Sequence, residues 1–398
     1  MSAEAFHGTP VRPLLTFPMG NFAIKAITTP KEQHDFIAVP AYVYRDDPYW
    51  VAPIESSTAK QFSEENSFFQ YGKLQQFLAY EGEQPVGRVV AAVNSRLVER
   101  EGRSIGLIGF FECINNIEIG QALLDAATDW LQQQGMTKAR GPIDLSTHNN
   151  CCFLVDGFDS DPMLMMPYNP RYYLDIMEAN GWQKAKDAYA YNLPLDNPLP
   201  DSFERGYKIA QKAGITFRAI HTKGEAFEQD CRQIYELFTT AFAHNWSSSA
   251  RTEEEFMVEA RELQTLVDTD IFVIAEDPKK DSNNKMVGFF MALPDYNIAL
   301  KHVKGKLDIF GMLKFLWYRR KIDQARVLAI CTLPEYSRKM VALAVVYLGM
   351  KGGTDKKPSY RRAELSWVYE DNVRSRNIIE STGATIYKTY RIYEKALA

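Results

Sequence analysis

From Phe22 to Thr28 apolar and polar side chains alternate, the period of a strand with one buried face. Pro30 to Tyr44 then reads as a helix entered through Thr29 as N-cap. Two apolar runs, Gln76 to Tyr80 and Pro85 to Asn94, flank Glu81-Gly82-Glu83 and predict a hairpin with glycine in its turn. Ile105 to Cys113 is too apolar for a surface strand and belongs at the centre of a sheet. Ile117 to Gln134 spaces its apolar residues as a helix does, Gly135 closes it, and a short strand follows from Lys138 to Ile143. After a long connection, Asp144 to Asn169, helix Pro170 to Asn180 ends at Gly181 and an aromatic strand runs from Ala185 to Leu193.

The same order returns about two hundred residues later. Phe217 to Ile220 opens a strand, Glu225 to His244 is an amphipathic helix, and Thr252 to Leu266 a second one begun by a Thr-x-x-Glu capping box. Ile271 to Glu276 and Met286 to Leu293 repeat the hairpin around a polar break, and Ala325 to Leu333 is the next strand. The ending is duplicated most closely: strand Arg362 to Val368, helix Asn372 to Thr382 closed by Gly383, and strand Thr385 to Lys395. Between the hairpin and its following strand lies Phe310 to Arg320, an apolar helix with a basic end. Its plainest role is packing between domains; a membrane surface or the wall of an apolar channel are the alternatives. Two tandem domains are expected, residues 22–196 and 210–398.

Composition narrows the function classes. With 398 residues, 46% hydrophobic and 24% charged, the chain is long enough for two cores and ordinary for a globular protein. A formal net charge of -4 speaks against a nucleic-acid partner and leaves at most peripheral membrane contact. No apolar run approaches a spanning helix and the first 21 residues lack a signal-peptide core, so a cytoplasmic protein is expected. Five cysteines suggest no disulfide framework. Cys151, Cys152 and His148 lack further ligands at metal spacing, so buried free thiols and no metal are expected.

The doubled order of strand, two helices, hairpin, central strand, helix, strand, helix and aromatic strand resembles the GNAT superfamily of acyl-CoA-dependent N-acyltransferases. Asp47-Pro48-Tyr49-Trp50-Val51, Arg140-Gly141-Pro142, Val155-Asp156-Gly157-Phe158-Asp159, Met166-Pro167-Tyr168-Asn169-Pro170 and Tyr387-Lys388-Thr389-Tyr390-Arg391 are similar to a bacterial tandem-GNAT family. The resemblance implies an α+β (α/β) fold of two GNAT-like domains, each a mixed central sheet flanked by helices. It also implies a wedge between two splayed parallel strands, where the pantetheine arm of CoA binds like an extra strand, and a glycine-rich loop at a helix start for the pyrophosphate.

By that resemblance the cofactor loop of the second domain is Leu333 to Ala342, with Arg338, Lys339, Met340, Val341 and Ala342 at its core and Asn372 beside the pantetheine arm. The loop departs from the pattern, because Arg338 and Met340 stand where glycines are usual. In the first domain Ile114 to Gly120 has no glycine cradle and an acidic Glu118 at the helix start. CoA, acyl-CoA or an acyl carrier protein thioester is therefore expected in the second domain. The family's tyrosine acid, four residues before the helix-closing glycine, is replaced by Met177 and Ile379. Glu112, at the end of the first central strand, and Glu364, on Ala363 to Trp367, are read as lying on equivalent strands and are the candidate bases, with Tyr390 the substitute acid. Asn149, Asn150, Asp156, Tyr168 and Asn169 of the long connection are the candidate acceptor-binding residues. The implied reaction is acyl transfer to an amine, with a long-chain amino lipid as the specific acceptor. A GNAT-fold binding module without chemistry and an aminoacyl-tRNA-dependent transferase are the alternatives.

Overall fold

The computed structural model describes residues 21–241, 246–280 and 284–397. The first half runs β1 (Phe22–Ala26), α1 (Pro30–Val43), α2 (Glu55–Lys60), β2 (Gly72–Glu81), β3 (Gln84–Asn94), α3 (Ser95–Glu101), β4 (Ile105–Cys113), α4 (Ile117–Gln133), β5 (Lys138–Gly141), β6 (Phe153–Asp156), α5 (Tyr172–Ala179) and β7 (Gln183–Pro194). The second runs α6 (Asp201–Lys212), β8 (Thr216–Ala219), α7 (Gly224–Ala241), α8 (Glu253–Leu263), β9 (Phe272–Glu276), β10 (Met286–Pro294), α9 (Asn297–Leu300) and α10 (Ile309–Tyr318). It continues with β11 (Gln324–Thr332), α11 (Val341–Asp355), β12 (Arg362–Tyr369), α12 (Val373–Glu380) and β13 (Thr385–Ala396).

Local chemistry explains the boundaries. Thr29 and Thr252 form full capping boxes with Glu32 and Glu255, which start α1 and α8. Gly181 and Gly383, at φ of 73° and 93°, turn the chain out of α5 and α12 into the strands that follow. The expected helix to His244 is seen as far as Ala241; its last positions lie outside the described residues.

The two repeats share one mixed sheet in the order β1-β2-β3-β4-β5-β13-β7-β12-β11-β10-β9-β8. Each repeat's closing strand has crossed to the other. β13 lies antiparallel to β5 of the first half, β7 lies antiparallel to β12 of the second, and β7 and β13 pair with each other at the centre. Short β6, inside the long connection, adds to β13. All neighbours are antiparallel except β4 with β5 and β11 with β12. Helices cover both faces: α4 seals one core over the first half, while α6 and α11 seal another against β10, β11 and β12. All five cysteines are buried and unpaired.

Candidate functional site

Both central strands carry extra residues that bend them away from their parallel neighbour. In β4 the register with β3 shifts between Arg88 and Val90, and in β11 that with β10 shifts between Met291 and Ala292, leaving Leu328 unmatched. What fills each resulting wedge decides where a ligand could enter.

The first wedge is closed by the chain itself. β4 and β5 pair only through Ile105, Gly106 and Leu107, but then Ile143 N–H donates to Ile108 O at 2.7 Å and Phe110 N–H to Asp144 Oδ1 at 2.6 Å. Gly109 permits the approach, since a Cβ there would sit 2.4 Å from the Ile143 carbonyl oxygen. At the far end Tyr173 Oη accepts from Cys113 N–H at 2.8 Å, and Tyr172 Oη donates to Cys113 O at 2.7 Å. The start of α4 is spoken for as well: Asn116 Oδ1 accepts from Glu118 and Ile119 N–H. Glu112, a candidate base, accepts from Tyr173 Oη at 2.7 Å and lies 3.8 Å from Arg88. Burial raises its carboxyl against the pull of Arg88. It is locked inside a closed wedge.

The second wedge is open. β11 and β12 pair only from Gln324 with Arg362 to Val327 with Leu365, whereas on its other edge β12 stays paired with β7 from Arg362 to Tyr369 across a register shift after Leu365. Among the described residues no ladder joins Leu328–Thr332 to β12, and Leu328, Ala329 and Ile330 are partly exposed. At the end of β11 a 3-10 turn, Pro334–Lys339, leads to Met340 at φ 56° and ψ 27°, the left-handed conformation that glycine supplies cheaply. α11 then begins with no side-chain cap, so the first-turn N–H groups of Val341 and Ala342 keep their donors. Arg338 is exposed, whereas Lys339 is held by buried Asp277 at 2.9 Å together with Tyr336 Oη. Leu333 N–H is used by Val287 O. The backbone cradle thus survives with the wrong side chains on it. Asn372 caps α12 by accepting from Ser375 N–H at 3.2 Å.

Beneath the wedge a polar group is buried in otherwise apolar sheet. Glu364, wholly buried, accepts from Ser366 Oγ and Tyr387 Oη and faces Arg326 at 3.9 Å. Arg326 in turn donates to Ser366 Oγ at 2.8 Å and to Leu164 O at 2.9 Å. Tyr390, also buried, has a hydroxyl with no hydrogen-bond partner among the described residues; burial and the nearby Glu364 raise it far above an ordinary phenol. Lys388 Nζ donates to Ser160 O at 2.7 Å, and burial lowers it to about 8. Asp295 holds Leu164 N–H at 2.8 Å and Gln324, and burial raises its carboxyl to about 7.

Glu364 and Tyr390 are therefore brought together, and Glu112 sits apart in the other repeat. The five acceptor-side candidates serve the long connection. Asn149 donates to Asp144 O and Asn150 O accepts from Asp144 N–H. Asp156 pairs with Thr389, Tyr168 Oη donates to Asp47, and Asn169 clips Leu154 through both its backbone groups. The part of that connection that reaches the site is Leu164 and Met166, the latter 3.3 Å from Ser366 Oγ. Met163, Leu164 and Met166 are packed in the core and only Met165 faces outward, so this stretch does not line an open channel. Sequence reasoning missed Arg326 and Ser366. A lone arginine in an apolar strand, opposite a glutamate in another, was the available signal.

No family model matches the chain. Over 383 residues it is 31% identical to the bacterial ceramide synthase of Caulobacter vibrioides, covering 95% of this chain and 98% of that protein. The chain belongs to that protein's family of N-acyltransferases. Protein YghO of Escherichia coli is 30% identical over 370 residues, covering 91% and 92%. Among solved structures, a tandem GNAT protein from the clavulanic acid biosynthesis pathway superposes with a TM-score of 0.55 at 12% identity, covering 95% of this chain and 99% of that one. A GCN5-related N-acetyltransferase from Sphaerobacter thermophilus does so at 0.53 and 14%, covering 95% and 96%. These likenesses bear out the tandem GNAT fold expected from the doubled element order. The family member described here keeps one wedge open and has closed the other.

Proposed function

We propose that the chain acylates the amine of a long-chain amino lipid, taking the acyl group from a CoA or acyl carrier protein thioester in the wedge between β11 and β12. The observation that carries this is the contrast between the wedges: among the described residues, the second leaves a strand edge open beside an uncapped helix start and the first does not. The lipid acceptor is supported by the relative named a ceramide synthase, similar along nearly its whole length. Leu328 to Thr332 would hold the pantetheine amides, and the first turn of α11 with Arg338 would hold the phosphates. The bound thioester supplies an activated acyl carbonyl. Tyr387 takes a proton from the acceptor's ammonium as it passes its own to Glu364, the freed amine attacks the thioester carbonyl, and Tyr390 gives its proton to the departing thiolate.

The test offers acyl-CoA, or an acylated carrier protein, together with amines of increasing chain length and follows free thiol. Expected is release that requires the amine and grows with its length. No release with any donor and amine sinks the reading. Arg338 and Met340 in place of glycines favour a second one, a module that binds CoA without turnover; CoA binding with no thiol release would establish it.

A further inference from the structure

The helix α10 packs by one face and leaves the other bare. Gly311 is buried, Phe315 stacks on Tyr296 with ring centroids 5.8 Å apart, and Tyr318 stacks on His302 at 3.5 Å. These inward positions correct the expectation of a helix packed between domains or lining a channel. Ile309, Phe310, Met312, Leu313, Leu316 and Trp317 are all exposed, Ile309 and Phe310 to 79% and 75%. Scattered apolar residues on a surface need no explanation, but six on one short helix do.

Charge says what covers them. The whole chain is formally -4, yet residues 301–321 hold seven Lys or Arg against the single acid Asp308. Directly behind the helix's basic end opens a cleft of about 550 Å³ lined by Arg320, Lys321, Lys356, Lys357 and Arg361. Lys356 is taken by Asp268, and Asp355, also in the lining, is paired with Lys351. Asp323 is the other acid in the lining, so five cations face two acids there, and among the described residues Arg320, Lys357 and Arg361 form no ion pair, which leaves an excess of positive charge beside bare apolar surface. An apolar ridge rimmed by cations matches the boundary of a bilayer, acyl chains below and phosphate above. A second copy of this chain would set like charges against each other.

We infer that α10 and the basic cleft behind it form a docking surface for a lipid bilayer bearing anionic headgroups. Leu313 and Trp317 enter the acyl region while Arg320, Lys321, Lys357 and Arg361 meet the phosphates. α9 fastens this surface to the candidate site, since Asn297 holds Pro162 O at 2.9 Å and Lys301 pairs with Asp161, next to the loop whose Leu164 carbonyl holds Arg326. The inference does not depend on the acyl acceptor, because its test reads partitioning rather than chemistry.

The full chain is sedimented with vesicles of phosphatidylcholine alone and with about one-third phosphatidylglycerol. Binding to the anionic vesicles, weakening with salt, is expected. Leu313→Asp with Trp317→Asp, and separately Arg320→Glu with Lys357→Glu, each lower that binding roughly tenfold or more with an unchanged melting curve. Quenching of tryptophan fluorescence by brominated acyl chains in the unaltered protein, lost in Trp317→Phe, gives a readout that survives a misfolded variant. Absence of binding to anionic vesicles, or an apolar variant that still binds as the parent does, overturns the inference. So does a parent dimer that the apolar variant splits while vesicles go unbound, since a second copy would then cover the helix.

Discussion

Replacing Glu364 separates a structural carboxylate from a catalytic one. At 3.9 Å its attraction to Arg326 is about 4 kcal/mol at an effective dielectric of 20, opposed by the cost of drying both groups. Glu364→Leu leaves the Arg326 guanidinium with only the neutral acceptors Ser366 and Leu164 O, a loss of about 3 kcal/mol in a urea melt. Glu364→Gln keeps the volume and an acceptor for Tyr387, and loses about 1 to 2 kcal/mol. The glutamine variant therefore folds, and its chemistry can be measured. As the base, Glu364 is worth about a hundredfold or more in kcat, with KM for the thioester unchanged because the donor binds elsewhere in the wedge. A glutamine variant that folds and releases thiol within about threefold of the parent refutes the assignment.

Three further outcomes follow from the same geometry. Met340→Gly relieves a left-handed residue at a cost in chain entropy, so stability rises by about 0 to 1 kcal/mol, and CoA titration should show tighter binding; looser binding counts against a phosphate site there. Ending the chain at Gly383 removes β13 with buried Tyr390, Ile392 and Tyr393, and should expose the amides of β5 and β7 to hydrogen exchange together. A truncated protein with the parent's melt would contradict the shared sheet. Asp295 titrates near 7 when folded against an ordinary value of 3.8, so the folded state holds the extra proton in between. Its stabilising share is complete below about pH 4 and falls by about 2 to 4 kcal/mol as pH rises through 7. Asp295→Asn should make that decline shallower in urea melts across pH 4 to 8, with Asp144, raised likewise to about 7 by burial, and Glu112, also raised, still contributing to it; an unchanged slope would exclude Asp295 as a source.

What the sequence made legible was local. Capping boxes at Thr29 and Thr252, glycines at 181 and 383, and the period of each strand set most element ends to within a few residues. α6, whose helical spacing is broken by Gly206, and four-residue β6 were too weak to register. The crossing of β7 and β13 left no trace at all, because alternation fixes which face of a strand is buried and says nothing about which neighbour it joins. The site was half legible for the same reason. Glu112 and Glu364 read as occupants of equivalent strands, yet Glu112 lies on β4 and Glu364 on β12, the counterpart of β5; Gly109 admits the backbone of Ile143 in the first wedge, while among the described residues no ladder joins Leu328–Thr332 to β12 in the second.

That crossing gives the closed repeat a role. Tyr387 arrives on β13, which pairs with β5 and β7 of the first half, and it reaches Glu364 on β12. Leu164 and Met166, from the first repeat's long connection, hold Arg326 and Ser366 from the other side. The charged and hydroxyl side chains beneath the open wedge all come from the second repeat, and the first adds the Leu164 carbonyl and the Met166 sulfur that hold two of them. Selection on that group therefore reaches the first repeat even though its own wedge no longer admits a ligand. Substitutions in the long connection that spare folding, such as Met166→Ala, should alter catalysis through Ser366 without touching the cofactor cradle at α11. The readout is a fall in kcat at constant affinity for CoA. A variant that instead loses CoA affinity with its rate intact would show that the loop belongs to the cofactor and not to the proton path.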